Sequence, residues 1–385
     1  MNPKKLTLPL MLISLPDIFL GVLLPMYTNE LGYTTFQYAM TVSILACSQI
    51  IMKLLLGKVS DRYSRRIIFI SSFMCFSISY FMFSVATQLS LIIVARVMNG
   101  VSVILLTMGI IGLISDSNHS FGQQRGYFHS KEQIGGLIGV GICYLVLSNY
   151  DFIKGWNVLF MICGGAALLA ALYTFRLPKE TKKIERTNKK KTKLSMKQRK
   201  MWILNLYICT VASMTAVIFI PYMQKVYDAS MELMTIVFLV PMILFPFINA
   251  KLGRIGDRRG YRNSIIVAIV ACSIGALGLA VSPTLLIFAI VCTIVDIFSS
   301  IKGYAIDALF IQGTPQEHIG DAYGKFSIGG NLGGMIGAAL GGYLFDAFGF
   351  NVPYIAFAVL MLLFVPCALY LIPRNQDDHR GKMIA

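Results

Sequence analysis

The sequence predicts an all-α membrane protein: twelve transmembrane helices folded as two pseudo-symmetric six-helix bundles. Three observations carry this. Hydrophobic residues make up 56% of the 385 positions and charged residues only 14%, which is not the balance of a water-soluble domain. Apolar runs of about 20 residues, enough to cross roughly 30 Å of hydrocarbon, recur from end to end. A short charged stretch between two such runs, Gly57 to Arg66, returns 196 positions later as Gly253 to Arg262, as expected of two similar halves.

In chain order the spans fall at 6–28, 36–56, 67–86, 90–114, 126–148 and 156–176, then 201–223, 233–251, 263–282, 284–311, 321–345 and 352–373. The expected organisation is therefore a first bundle over 1–176, a basic linker over 177–200 and a second bundle over 201–385. Lys4 and Lys5 precede the first span, but no small-residue cleavage site follows it. It reads as a retained helix and not as a cleaved leader. All eight cysteines lie within spans and none forms a C-x-x-C pair, so a disulfide framework or zinc site is not expected.

Charge is distributed by topology. Of the net +16, residues 176–200 supply +10, and the two charged hinges are also basic. The alternate connections 29–35, 87–89, 149–155, 224–232 and 346–351 hold only Lys154 and Lys225 as basic residues. That alternation places both termini and the linker in the cytoplasm. The linker has no aromatic residues on which bases could stack, so nucleic acid is not an expected partner.

The two hinges align as Gly57/Gly253, Asp61/Asp257, Arg62/Arg258, Ser64/Gly260 and Arg66/Arg262, with Arg65 beside the last pair. The pattern resembles the G-x-x-x-D-R-x-G-[RK]-[RK] loop of the major facilitator superfamily, with Ser64 in place of the usual Gly in the first copy. Further motifs resemble the superfamily's twelve-helix drug/proton antiporters. Span 1 closes with Pro25-Met-Tyr27 and Leu31-Gly32, and span 4 carries Arg96, Asn99 and Gly100 in an R-x-x-x-G pattern. Span 5 keeps Gly135 and Gly139 of G-x-x-x-G-P-x-x-G-G, but Val140 replaces the proline. Span 11 holds a fuller version, Gly333, Gly337, Gly341 and Gly342; close helix packing accounts for most of such a pattern. By the same resemblance Asp116, ending span 4, is expected to pair with Arg62, Arg65 or Arg66 as a conformational lock. A surface ion pair worth at most about 1 kcal/mol is the alternative.

Charges inside spans cost about 2.5–3.5 kcal/mol each and need a reason. Asp17, 12 residues beyond Lys5, lies roughly 18 Å along its helix. Arg96, six residues beyond Ser90 on a helix entering from the other side, reaches a similar depth, so an Asp17–Arg96 pair is geometrically possible. Burial and a guanidinium would then pull the proton affinity of Asp17 in opposite directions, which suits a group that binds and releases a proton. Glu132 and Asp296 are further proton-coupling candidates. Asp296 is also a candidate for contacting a cationic substrate or pairing with Lys302 or Lys325. Asn99, Tyr222, Gln224, Lys302, Lys325 and Asn331 are candidates to line a substrate cavity. Lys53 reads as an interfacial anchor and His129 as a lining residue.

A secondary active transporter follows, working by alternating access and exporting small amphipathic compounds in exchange for protons. A dedicated exporter of one metabolite or siderophore-like product fits nearly as well, since Arg96, Lys302 and Lys325 could bind anionic groups. An uptake symporter or facilitator is a third reading, kept open by Val140, and a non-transporting receptor a fourth. No P-loop is present to use ATP, so no cofactor is expected and the proton gradient supplies the energy. The expected setting is a lipid bilayer, the bacterial inner membrane, with the chain as a monomer.

Overall fold

The structure, a computed structural model, describes residues 3–33, 35–60, 63–116, 120–177, 195–229, 231–315 and 318–372. All regular structure among them is helical. The first half comprises α1 (Thr7–Ile13), α2 (Asp17–Glu30), α3 (Thr35–Ser60), α4 (Arg65–Val85), α5 (Leu89–Ser115), α6 (Phe121–Leu147) and α7 (Phe152–Phe175). The second comprises α8 (Met196–Ala216), α9 (Phe219–Tyr227), α10 (Met231–Arg259), α11 (Tyr261–Ala280), α12 (Leu285–Gln312), α13 (Ile319–Phe348) and α14 (Val352–Leu371). Taken together, α1–α2 and α8–α9 each occupy one expected span, so the helices fill all twelve. Among the described residues, seven spans are long and apolar enough by length and composition alone to cross a membrane.

Both broken spans have a proline at or just after the interruption. Pro16 has no N–H to continue α1, and α2 restarts with Asp17 as its first residue. In the seventh span the helix breaks at Val217–Ile218, where Pro221 cannot donate to the carbonyl of Val217. That span also starts earlier than expected. Ser195 and Gln198 form a reciprocal cap, Ser195 N–H donating to Gln198 Oε1 at 2.9 Å and Gln198 N–H to Ser195 Oγ at 3.3 Å. This satisfies two otherwise orphan donors, so 196–200 of the expected linker is helix. The rest of the linker, 178–194, lies outside the described residues.

The chain divides into two compact units. Unit 1 is Met1–Asn118, Phe128–Thr192 and Gln316–Gly324; unit 2 is His119–Tyr127, Lys193–Pro315 and Lys325–Ala385. The division follows the two halves except at the starts of α6 and α13, whose first turns belong to the unit of the opposite half.

Each unit is pinned by an aromatic cluster at one end. In unit 1, fully buried Trp156 donates from Nε1 to Phe83 O at 2.7 Å and stacks on Tyr27 at 4.1 Å, while Tyr27 Oη donates to Ala86 O. In unit 2, Tyr222, Phe288 and Tyr354 pack with ring centroids 4.8–6.1 Å apart. Such pairs contribute about 0.5–1.5 kcal/mol beyond burial. The outward faces are apolar: Val281 is 77% exposed, Leu286 71% and Leu363 69%. That suits a solvent of lipid tails.

Glycine stripes set the helix contacts on the other side of each unit. A Cβ on Gly135 or Gly139 would overlap the backbone of Met11 or Leu15, and one on Gly333, Gly337 or Gly341 the backbone of Leu206, Thr210 or Met214. α6 therefore lies backbone to backbone on the first span and α13 on the seventh. Small residues every fourth position permit that approach.

Candidate functional site

The hinges are the first element of the site. Arg65 Nε lies 3.1 Å from Asp116 Oδ2, so of the three arginines expected to engage Asp116 the structure brings Arg65 to it. Arg66 Nη2 donates to Phe175 O at the end of α7, and its mate Arg262 donates to Leu369 O at 3.0 Å near the end of α14. A guanidinium on terminal carbonyls satisfies orphan acceptors and the negative end of the helix dipole. The two copies thus do the same work in the two units. Between α10 and α11, Gly260 has φ +84°, a conformation that favours glycine, whereas Ser64 at φ −64° is ordinary extended backbone. The Ser-for-Gly exchange is tolerated for that reason.

Asp257 does something the sequence did not announce. Its carboxylate accepts the N–H groups of Gly122 at 3.0 Å and Gln123 at 2.7 Å, and the hydroxyl of Tyr261 at 2.6 Å. It caps the N-terminus of α6 across 135 residues of sequence. The approach requires two glycines, since a Cβ on Gly122 or Gly253 would overlap the other's backbone. Arg125 faces Asp307 at 3.8 Å in the same unit. Asp61 and Arg62 lie outside the described residues, Gly57 falls in the last turns of α3, and Arg258 is exposed.

The charges within the spans form the second element. Asp17 is exposed at the start of α2 and hydrogen-bonds the Ser14 side chain; Glu132 of α6 is the charged group that acts on it. Tyr80 of α4 and Cys163 of α7 also lie within its electrostatic reach. Gly21, one turn on, faces open space. The structure does not bring Asp17 and Arg96 together. Arg96 is 6% exposed, its guanidinium carbon 5.8 Å from the Phe83 ring centroid, and its Nε has no hydrogen-bond partner.

Asp296 lies on a face of α12 shared with Cys292, Ser299 and Gly303, about 120–180° around the helix from the exposed Ile287, Ile290 and Ile294. Gly303 faces open space. The contact of the Asp296 carboxylate is the Cys292 thiol, which donates to Oδ2 at 4.0 Å. The expected pairing with Lys302 is absent: Lys302 is 3% exposed and about 120° around α12, on the side that carries Cys272 of α11. Tyr222 is 1% exposed, with Oη donating to Asn351 Oδ1 at 3.0 Å. Asn99 is 7% exposed and Gln224 is exposed; Lys325 and Asn331 are part-buried on α13, and both of these are engaged with neighbours. His129 and Lys53 are likewise engaged.

The sequence profile described as the Major Facilitator Superfamily matches residues 7–328 and 252–382. The chain belongs to that superfamily. An uncharacterized MFS-type transporter of Methanocaldococcus jannaschii, MJ1560, is 23% identical over 372 residues, covering 92% of this chain and 93% of the relative. The quinolone resistance protein NorA of Staphylococcus aureus is 32% identical over 132 residues, 32% of this chain and 34% of NorA. Among solved structures, the fucose:proton symporter FucP of E. coli in its outward conformation superposes with a TM-score of 0.82 at 15% identity, covering 97% of this chain and 99% of FucP. Superfamily membership makes the chain a multi-pass membrane transporter of small molecules and not an enzyme. Sequence reasoning missed Cys292 beside Asp296, the Gly122–Gly253 approach and the cap by Asp257. The glycines at 122 and 253 were the signal for the last two.

Proposed function

We propose that this superfamily member is a proton-coupled exporter of small amphipathic organic compounds, working by alternating access. Two spanning-helix carboxylates without a cationic partner among the described residues, Asp17 and Asp296, carry the proposal. Each faces open space at a neighbouring glycine, Gly21 or Gly303, and each costs a few kcal/mol in hydrocarbon unless protonated or matched by a cation. A group in that position exchanges a proton for a substrate as its surroundings change. Glu132, the charged group that acts on Asp17, tunes this exchange. The Asp257 cap on α6 and the Arg65–Asp116 pair are bonds that the conformational cycle makes and breaks. The proton gradient is the energy source, no cofactor takes part, and the chain works as a monomer in a bacterial inner membrane with both termini cytoplasmic.

The stretch of NorA likeness favours efflux. Proton-coupled uptake is the second reading, favoured by Val140 in the α6 pattern and by the fold shared with a symporter. Accumulation of a panel of amphipathic ions, with and without an uncoupler, separates them. Lower accumulation in cells expressing the wild type, abolished by uncoupler and by Asp17→Asn, supports export through Asp17. Higher accumulation means uptake and overturns the proposal.

A further inference from the structure

The central stretch of α5 holds two strong hydrogen-bonding side chains that this unit leaves unsatisfied. Arg96 and Asn99 are 6% and 7% exposed, one turn apart and about 60° apart around the helix. Neither side chain has a hydrogen-bond or ion-pair partner among the described residues, and Arg96 Nε is sealed from solvent with nothing to donate to. The Phe83 ring, 5.8 Å from the guanidinium carbon, offsets only part of the cost. A cation–π contact gives about 0.5–2 kcal/mol, against a penalty of several kcal/mol for a buried, uncompensated charge. Tyr38 of α3 is the group that acts electrostatically on Arg96, and no carboxylate does. One turn beyond Arg96, α3 and α5 pack closely, since a Cβ on Gly100 would meet Ser48 Oγ and lie 3.4 Å from Leu45 O. The two donors are therefore held on a fixed pair of helices. A planar guanidinium beside an amide N–H group is complementary to a carboxylate, which accepts from both.

We infer that Arg96 and Asn99 form the receptor for a carboxylate on the transported molecule, so the substrates are amphipathic acids or zwitterions. This deepens the export proposal and rests on it, and it moves Arg96 from proton coupling to substrate recognition. The carboxylate supplies the missing counter-charge on arrival. The unoccupied donors are the cost the empty transporter carries.

The test uses two fluorescent dyes with one ring system, rhodamine 110, a free acid, and rhodamine 123, its methyl ester. Their affinities for the purified full-length protein are measured by anisotropy. The acid is expected to bind at least about tenfold tighter than the ester, the value of one charge-assisted hydrogen bond. Arg96→Gln should bring the ratio close to one and Asn99→Ala should lower it several-fold, while Gly141→Ala, at a position that meets nothing within 4 Å, should leave it unchanged. The wild-type comparison needs no variant, so a misfolded Arg96→Gln does not blunt it. Equal or tighter binding of the ester to wild type overturns the inference and leaves the export proposal standing. Binding of neither dye overturns both.

Discussion

Asp257→Asn is the most direct probe of the hinge, because the bonds at stake are resolved one by one. The carboxylate takes two backbone N–H groups at 3.0 and 2.7 Å and a tyrosine hydroxyl at 2.6 Å. Hydrogen bonds to a charged acceptor contribute about 1.5–3 kcal/mol each. Asn retains one neutral oxygen, so one of the two backbone bonds is lost and the other weakened. The site is partly exposed, which argues for the low end, about 2–3 kcal/mol. At 1.4 kcal/mol per decade, that is roughly a 30–100-fold rise in the open population of the α6 N-terminus. Hydrogen exchange reads this directly, since Gly122 and Gln123 lie in the first turn, where an α-helix offers its own N–H groups no partner. Peptides covering 121–127 should exchange 30–100-fold faster in Asp257→Asn, with α4 and α7 unchanged. Unchanged exchange at 121–127 refutes the cap. An equal acceleration everywhere refutes its local character.

Three more outcomes follow from the same geometry. Gly139→Ala should lower the melting temperature in detergent sharply, by about 3 kcal/mol or more of overpacking against Leu15. Gly141→Ala, which meets nothing within 4 Å, should be neutral or stabilising by about 0.5–1 kcal/mol through helix propensity. For the Arg65–Asp116 pair, either charge reversal alone should cost about 1 kcal/mol or more and the double exchange Arg65→Asp/Asp116→Arg should restore most of it, read as a coupling energy. Asp296→Asn should abolish uncoupler-sensitive transport while leaving the fold intact, because its carboxylate has no ion pair among the described residues to lose; retained proton coupling would remove Asp296 from the mechanism.

The frame of the protein was legible because its signals are backbone signals. Charged hinges at a fixed spacing, glycines every fourth position and proline breaks each dictate geometry without reference to neighbours. The fit of Gly260 and Ser64 to different φ values shows how closely the residue follows the backbone. The site was less legible. Sequence gives height along a helix, and Asp17 and Arg96 do have comparable expected depth. It gives rotation poorly when both lipid and protein faces are apolar, and the restart of the helix at Asp17 resets that rotation. The burial of Tyr222 and Lys302 was illegible for the same reason. A polar atom on a spanning helix suggests a cavity, yet Tyr222 finds its partners within an aromatic core and Lys302 turns toward α11.

The repeat also explains where the halves were free to diverge. Positions that make the frame keep both residue and role: Arg66 and Arg262 each cap a helix end, and Gly135 and Gly139 do in unit 1 what Gly333 and Gly337 do in unit 2. On α5 and α12 the charges sit at different heights of the repeat, Arg96 matching Cys292 and Asp296 matching Gly100. Steric room decides which half can hold which. A side chain at Gly100 would have to displace the Ser48 hydroxyl, so unit 1 leaves less room for a carboxylate there. In unit 2 that position opens onto the face of Gly303, and a carboxylate fits. Packing is shared by the two halves, and charge is placed only where packing leaves space for it.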